Sequence, residues 1–277
     1  MNDELYAPRA KADGTYETLT VEKEGAIDWL TLNRPSALNA MSRTMMLELQ
    51  HYFGGLYTDH SVRVVLLTGA GRGFCAGLDL KEDRIDDESG PVAGLRVQRR
   101  VSEIVMRMRR APQPIISLVN GPASGGGFAL VLASDIRIAA PAARMNAAFI
   151  RIGLTACDVG VSYFLPRLVG SALASELLLT GRFLDAERAL KVGLVSQVVA
   201  QDELANAGRA MAQEILANSP VGVRLTKECL NMSIDAGSLE SVIAMEDRQQ
   251  ILVAQTGDMR EGVGAFLEKR KPDYRDR

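Results

Sequence analysis

Apolar residues change their spacing along this chain, and the change divides it. Up to about residue 200, short runs of aliphatic and β-branched residues alternate with stretches of helical period; beyond residue 202 the helical period alone persists. Runs at 17–22 and 26–32 flank Lys23-Glu24-Gly25, which predicts a hairpin. Ser42 is placed to cap a helix running to about Tyr57. A β-branched run at 62–68 and an apolar run at 114–119 read as buried strands. Between them, Val97, Val101, Ile104, Val105 and Met108 give residues 95–110 a helical stripe, closed by the basic residues Arg107, Arg109 and Arg110. Further short strands are expected at 135–140 and 144–147, a loop at 154–160 and a helix at 161–168. Asp185 is expected to cap a helix ended by Gly193, with a last strand at 194–199. Helices follow at 202–217, 220–234, 238–254 and 258–270. The organisation predicted is a loose N-terminal arm over 1–16, a mixed α/β core over 17–200 and a helical region over 201–277. The acidic stretch 83–90, ended by Gly90, is expected to be mobile.

Two glycine-rich turns interrupt this pattern directly after strands. Strand 114–119 runs into Gly121-Pro122-Ala123-Ser124-Gly125-Gly126-Gly127, and the helix-like run Phe128–Ala133 follows. Strand, glycine turn and helix in that order bring bare backbone N–H groups to the mouth of a sheet. Such a place holds a phosphate or the negative oxygen of a polarised carbonyl, and equally serves as a tight turn of small residues. The strand at 62–68 ends in Gly69-Ala70-Gly71-Arg72-Gly73-Phe74-Cys75-Ala76-Gly77-Leu78-Asp79-Leu80. Its glycines do not keep dinucleotide-fingerprint spacing, and no helix opens on them, which argues against a nucleotide site.

Composition narrows the class. The chain has 277 residues, 47% hydrophobic and 24% charged, enough for one large core. A net charge of −2 argues against a nucleic-acid partner. Cys75, Cys157 and Cys229 share no metal spacing and read as thiols of a reducing compartment. No apolar run is long enough to span a membrane and the first residues lack a signal-peptide pattern, so the expected location is the cytoplasm. His51 and His60 fall near one helix and its end, no G-x-S-x-G occurs, and no metal site is expected.

Taken with Asn33-Arg34-Pro35-Ser36-Ala37-Leu38-Asn39-Ala40 upstream, the two turns resemble the crotonase family of enoyl-CoA hydratases and isomerases, in family order and at family spacing. Residues 265–274, Ala-Phe-Leu-Glu-Lys-Arg-Lys-Pro-Asp-Tyr, look like that family's C-terminal segment. The resemblance covers roughly residues 18–277. It implies an α/β crotonase-like spiral of repeated strand–strand–helix units with a C-terminal helical trimerisation region. It also implies a homotrimer or dimer of trimers, and an acyl-CoA or enoyl-CoA thioester as substrate. No separate cofactor is implied, because coenzyme A is part of the substrate.

The resemblance further implies an oxyanion hole made by the backbone N–H groups of Leu78 and Gly126, where a thioester oxygen gains two donors. Coenzyme A contacts are implied at Arg34, Ser36, Ala37, Leu38, Ala76, Asp79 and Leu80, and at Phe266 and Lys269 near the C-terminus. Many relatives carry a lysine where this chain has Ser36. Arg34 suits a structural role equally well, and Lys269 taken alone belongs to a solvated charged face.

The proton-transfer groups depart from the pattern. Family hydratases use two glutamates; the matching positions here are Ala129 and Phe149, neither of which can carry a proton. Asp158, in Leu154-Thr155-Ala156-Cys157-Asp158-Val159-Gly160, lies in a setting similar to that of the family's dienoyl-CoA isomerases, with one extra residue before it. Beside an apolar pocket it could shuttle a proton at carbon; alternatively it is the N-cap of the helix near Val161. Cys157 reads as a pocket-lining thiol. Three functions stay open: an acyl-CoA enzyme without standard hydratase chemistry, an inert acyl-CoA binder, and a peptidase on the same spiral that lacks its triad.

Overall fold

The computed structural model describes residues 7–82 and 90–277. The expected mobile stretch, but for Gly90, lies outside the described residues. Two ladders organise the core. The larger sheet runs in the order β1 (Leu19–Glu24), β2 (Ile27–Leu32), β3 (Val64–Gly69), β4 (Ile115–Val119), β6 (Ile136–Ala139), β9 (Gln197–Val198). Only the β1–β2 hairpin is antiparallel; every later neighbour is parallel, as crossover connections require. The smaller sheet joins β5 (Ala123–Ser124), β7 (Arg144–Asn146) and β8 (Leu184–Asp185). Isolated bridges Met41–Leu78 and Cys75–Ala123 extend that second ladder into the glycine loops. Each winding of the chain therefore lays one segment in each ladder, which is the strand–strand–helix spiral expected.

The strands alternate their apolar residues between two interiors, as the pleat demands. Leu30, Leu32, Val65, Leu67, Ile115 and Val119 face the main core, under α1 (Arg43–Gly55), α2 (Pro91–Arg110), α3 (Gly126–Ala133) and α4 (Val161–Val169). Ile27, Val64, Leu66, Ile116, Leu118 and Ile138 face the other side, covered by α7 (Leu204–Leu216). Gly208 of α7 fits against Leu118: a Cβ there would stand 2.8 Å from the leucine methyls. Ser42 caps α1 by accepting from the Met45 N–H, as its position predicts.

Three elements differ from expectation. A helix, α5 (Ser171–Thr180), fills a stretch where the pattern predicts no element. The last strand is only Gln197–Val198, because Leu194 and Val195 bury their side chains in the turn after α6 (Ala186–Lys191) before pairing begins. The N-cap of α4 is Gly160, at φ +86°, not Asp158. Helices α8 (Pro220–Ser233), α9 (Leu239–Ala254) and α10 (Gly257–Leu267) complete the chain. Lys227 ties α8 to the core: its buried ammonium pairs with Asp135 at 2.7 Å and donates to the Gln113 carbonyl at 2.8 Å.

Candidate active site

Three backbone segments meet where the second ladder begins. Met41 donates its N–H to the Gly77 carbonyl (2.7 Å) and accepts from the Asp79 N–H (3.0 Å). Cys75 accepts from the Ser124 N–H (2.9 Å), and the Ala76 N–H donates to the Leu38 carbonyl (3.0 Å). The first loop, the second loop and the glycine run are thus zipped side by side. Glycine is required at two points of this zipper. Gly77 sits at φ +96°, and a Cβ on it would stand 2.8 Å from the Ser124 oxygen and 3.5 Å from the Gly126 nitrogen. Gly125 takes φ +52° and ψ −119°, outside the reach of residues with a Cβ, and turns the chain into α3.

This arrangement leaves two N–H groups to be accounted for, those of Leu78 and Gly126. A planar trans peptide directs its N–H opposite its carbonyl, so the Gly77 carbonyl bonded to Met41 sends the Leu78 N–H the other way. Gly126 opens α3, where the first N–H groups lack intrahelical partners. Among the described residues neither N–H has an acceptor. The Gly126 N–H lies at the positive end of α3, and Gly77 stands close beside it.

Two buried asparagines hold the second loop in shape. Asn39, itself at φ +55°, donates to the Ala70 and Gly73 carbonyls (2.9 Å each) and accepts from the Arg34 N–H. Asn120 donates to the Gly69 (2.9 Å) and Gly71 (3.0 Å) carbonyls from the other side. Of these acceptors, the carbonyls of the buried Gly69 and Gly73 would otherwise lose their solvation uncompensated. Met41 lies against Gly126, with its methyl 2.2 Å from where a Cβ on that glycine would stand. Neither Met41 nor Asn120 stands out in the sequence. The signal available was adjacency: Asn120 directly precedes the glycine run at 121–127, and Met41 directly follows the Asn33–Ala40 segment.

The predicted coenzyme A contacts fall into two groups. Ser36 and Ala37 lie in a 3₁₀ turn, and Leu38 ends it at φ +52°, beside Ala76. Arg34 spends its guanidinium on this framework, pairing with Asp79 at 2.9 Å and donating to the Ala40 carbonyl. That partner holds the Asp79 carboxyl below its ordinary range. Leu80 is exposed. Phe266, 81% exposed, and Lys269, at φ +55°, stand at the end of α10. No hydrogen bond or ion pair among the described residues joins them to either loop.

Ala129 and Phe149 stand at the two positions where the resemblance implies glutamates. Ala129 is buried in α3, and the Phe149 ring packs over Gly125, 3.4 Å from where a Cβ would stand. Asp158 is half-buried in the loop between Gly153 and Gly160, both at positive φ. Burial raises its carboxyl above the ordinary value of 3.8, against the opposing pull of hydrogen bonds from the Val159 N–H and Gln98. Cys157 beside it is exposed, whereas burial pushes the Cys75 thiol up to about 12. Among the described residues no group of His, Cys, Asp and Glu could hold a metal ion.

Known proteins resemble this chain along most of its length. The enoyl-CoA hydratase/isomerase family pattern matches residues 22–277. The chain is 42% identical over 252 residues to the probable enoyl-CoA hydratase EchA12 of Mycobacterium tuberculosis, covering 89% of this chain and 88% of that one. It is 40% identical to the 1,2-epoxyphenylacetyl-CoA isomerase of Escherichia coli, covering 91% and 95%. A crystal structure of a probable enoyl-CoA hydratase/isomerase from Mycobacterium abscessus superposes with a TM-score of 0.88 at 38% identity, over 94% of this chain and 100% of the other.

Proposed function

The chain belongs to the enoyl-CoA hydratase/isomerase family, and from that premise we propose that it binds an enoyl-CoA thioester and moves its double bond by proton transfer, without two-glutamate hydration. The observation that carries this reading is the pair of N–H groups on Leu78 and Gly126, which have no acceptor among the described residues. A thioester oxygen placed between them is stabilised as the α-carbon loses a proton. In a 3-enoyl thioester, Asp158 takes a proton from C2. The C–H electron pair spreads into a dienolate whose oxygen the two N–H groups hold. Protonation of C4 by the same carboxyl, its proton exchanging with solvent, leaves the double bond at C2–C3. The carboxyl raised by burial supports this role, since its proton affinity is closer to that needed at carbon.

Coenzyme A is proposed to lie along Ser36, Ala37, Leu38, Ala76 and Leu80, with the Arg34–Asp79 pair bracing that wall and Phe266 and Lys269 supplied by the end of α10. A homotrimer or dimer of trimers is proposed as the assembly. In its support, α9 buries no residue within the chain and exposes Leu239, Ile243, Ile251 and Leu252. The cytoplasm is the proposed location. Its support is that Cys75, Cys157 and Cys229 are free; no helix among the described residues is long and apolar enough to cross a membrane.

The alternative of an inert acyl-CoA binder is favoured by one specific observation, the burial of Ala129 and Phe149 where proton carriers would stand. Calorimetry with a non-hydrolysable enoyl-CoA analogue tests the shared step. Binding at micromolar concentration or tighter, weakened by Gly126→Val, is expected; absence of binding at millimolar ligand contradicts both readings.

A further inference from the structure

We infer that Gln98, on α2, is the positioning residue of the Asp158 carboxylate, fixing one oxygen so that the other is presented to the substrate carbon. The inference rests on the reading of Asp158 as the proton carrier.

Two donors converge on a single oxygen. Gln98 donates from Nε2 to Asp158 Oδ1 at 2.5 Å, and the Val159 N–H donates to the same Oδ1 at 2.7 Å. Among the described residues Oδ2 accepts from nothing, so it is the atom left to take a proton. The backbone contributes to this aim. Val159 sits at φ +39°, a conformation that β-branched residues rarely adopt. Such strain persists only where surrounding structure imposes it. Gly160 next to it is at φ +86°, and a Cβ there would stand 2.8 Å from the Phe164 ring and 3.5 Å from Val105. The loop is thus wedged against α2 and α4, and the carboxylate faces α2.

Among the described residues no ionised group pairs with Asp158 beside the amide. Gly94, Leu95, Val101 and Ser102 share the stripe of Gln98 on α2, and the Ser102 hydroxyl donates to the Gln98 carbonyl at 3.1 Å. On α4 the charged group is Arg167, paired with Asp235. α3 carries no titratable side chain. The 3₁₀ turn at 148–152 carries Arg151, which forms no ion pair with Asp158, and Cys157 is the other titratable group of the loop. Orientation and ionisation of Asp158 therefore depend on two neutral donors, of which only Gln98 can be removed by substitution without altering the main chain. An amide that donates to the carboxylate favours its charged form. Losing it makes the carboxyl harder to ionise and frees it to rotate.

Solvent deuterium incorporation into a 3-enoyl-CoA, followed against pH by mass spectrometry, tests this. The proteins compared are the native chain, Gln98→Met, Gln98→Glu and Asp158→Asn, with melting curves as a fold control. The expected result for Gln98→Met is a kcat about tenfold lower with KM unchanged, and an acid limb moved upward by about one pH unit. Gln98→Glu, which keeps the shape but sets a second carboxyl against the first, moves the limb further, and also serves if Gln98→Met fails to fold. Asp158→Asn abolishes incorporation. Native kcat and limb in both Gln98 variants, with Asp158→Asn inactive, overturn the positioning role alone. Undiminished incorporation by Asp158→Asn overturns the proton-carrier reading, and Gln98's role with it.

Discussion

Met41 grips the peptide before Leu78: its N–H donates to the Gly77 carbonyl at 2.7 Å, and its carbonyl accepts from Asp79 at 3.0 Å. Because that peptide is planar, gripping the carbonyl on one side aims the Leu78 N–H to the other. The donor is main chain, so the identity of the Leu78 side chain, 42% exposed, matters little to it. What matters is that Gly77 and Gly126 can approach without a Cβ between them.

Gly126→Val should damage this site specifically. Its Cβ would meet the flexible end of Met41, whose methyl at 2.2 Å can turn aside, and would stand 4.0 Å from the Gly77 Cα, so the branched side chain crowds the space beside the Gly126 N–H. Loss of one well-placed oxyanion donor costs typically ~10²–10³ in rate. Isomerase turnover should fall by that factor while the protein still melts cooperatively. A folded variant with native turnover and binding contradicts the assignment of the donors.

Asn120→Ala should lower stability rather than chemistry alone. It removes the donor to the Gly69 and Gly71 carbonyls and leaves the buried Gly69 oxygen without it. The expected loss is about 3 kcal/mol, read from urea unfolding at unchanged m-value. A loss below about 0.5 kcal/mol would show that the loop does not depend on this clamp.

Most of what positions the site was legible in the sequence, because it consists of glycines that must be glycine and strands that must be apolar. Gly77 and Gly125 occupy backbone conformations closed to other residues, so the motifs that contain them carry geometry. The absence of glutamate at Ala129 and Phe149 was equally plain. The helix Ser171–Thr180 was not legible, since Leu173, Leu177, Leu178 and Leu179 surround it with apolar residues and blur the helical stripe. Nor were the pairs formed across long separations: Arg34 with Asp79, Asn120 with Gly69, and Gln98 with Asp158. Nothing local distinguishes a glutamine that aims a carboxylate from one that faces water. The N-cap expectation for Asp158 failed for a related reason. Gly160, at positive φ, ends the loop one step before Val161, and the Asp158 side chain turns to Val159 and α2 instead.

The C-terminal segment should loosen in acid. Glu261 accepts from Arg270 and from the Asp273 N–H, and the Arg270 guanidinium holds its carboxyl down to about 2. A depressed carboxyl contributes stability above its unfolded value of 4.5, and the contribution is lost as pH falls toward 2. Hydrogen exchange at residues 268–277 should therefore accelerate across that window, and Glu261→Gln should show the fast exchange already at neutral pH. Exchange that is independent of pH and of this substitution would contradict the anchoring role.

Restoring the glutamates should restore hydration only partly. General acid–base groups contribute typically ~10²–10⁴ each, and coupled effects are not additive. Ala129→Glu with Phe149→Glu should raise crotonyl-CoA hydration above the native trace. The gain is limited, because both positions are buried and Phe149 also packs over Gly125. No gain in a folded, ligand-binding double variant would show that these two positions are not where a hydratase places its carboxylates.

The central claim is that this site moves protons at carbon but does not add water. Proton NMR of the native protein mixed with a 3-enoyl-CoA, and separately with crotonyl-CoA, tests it most directly. The account predicts double-bond migration to the 2-enoyl thioester, its loss in Asp158→Asn, and almost no 3-hydroxyacyl product. Hydration of crotonyl-CoA at on the order of hundreds of turnovers per second, in the upper range of enzyme rates, would contradict it.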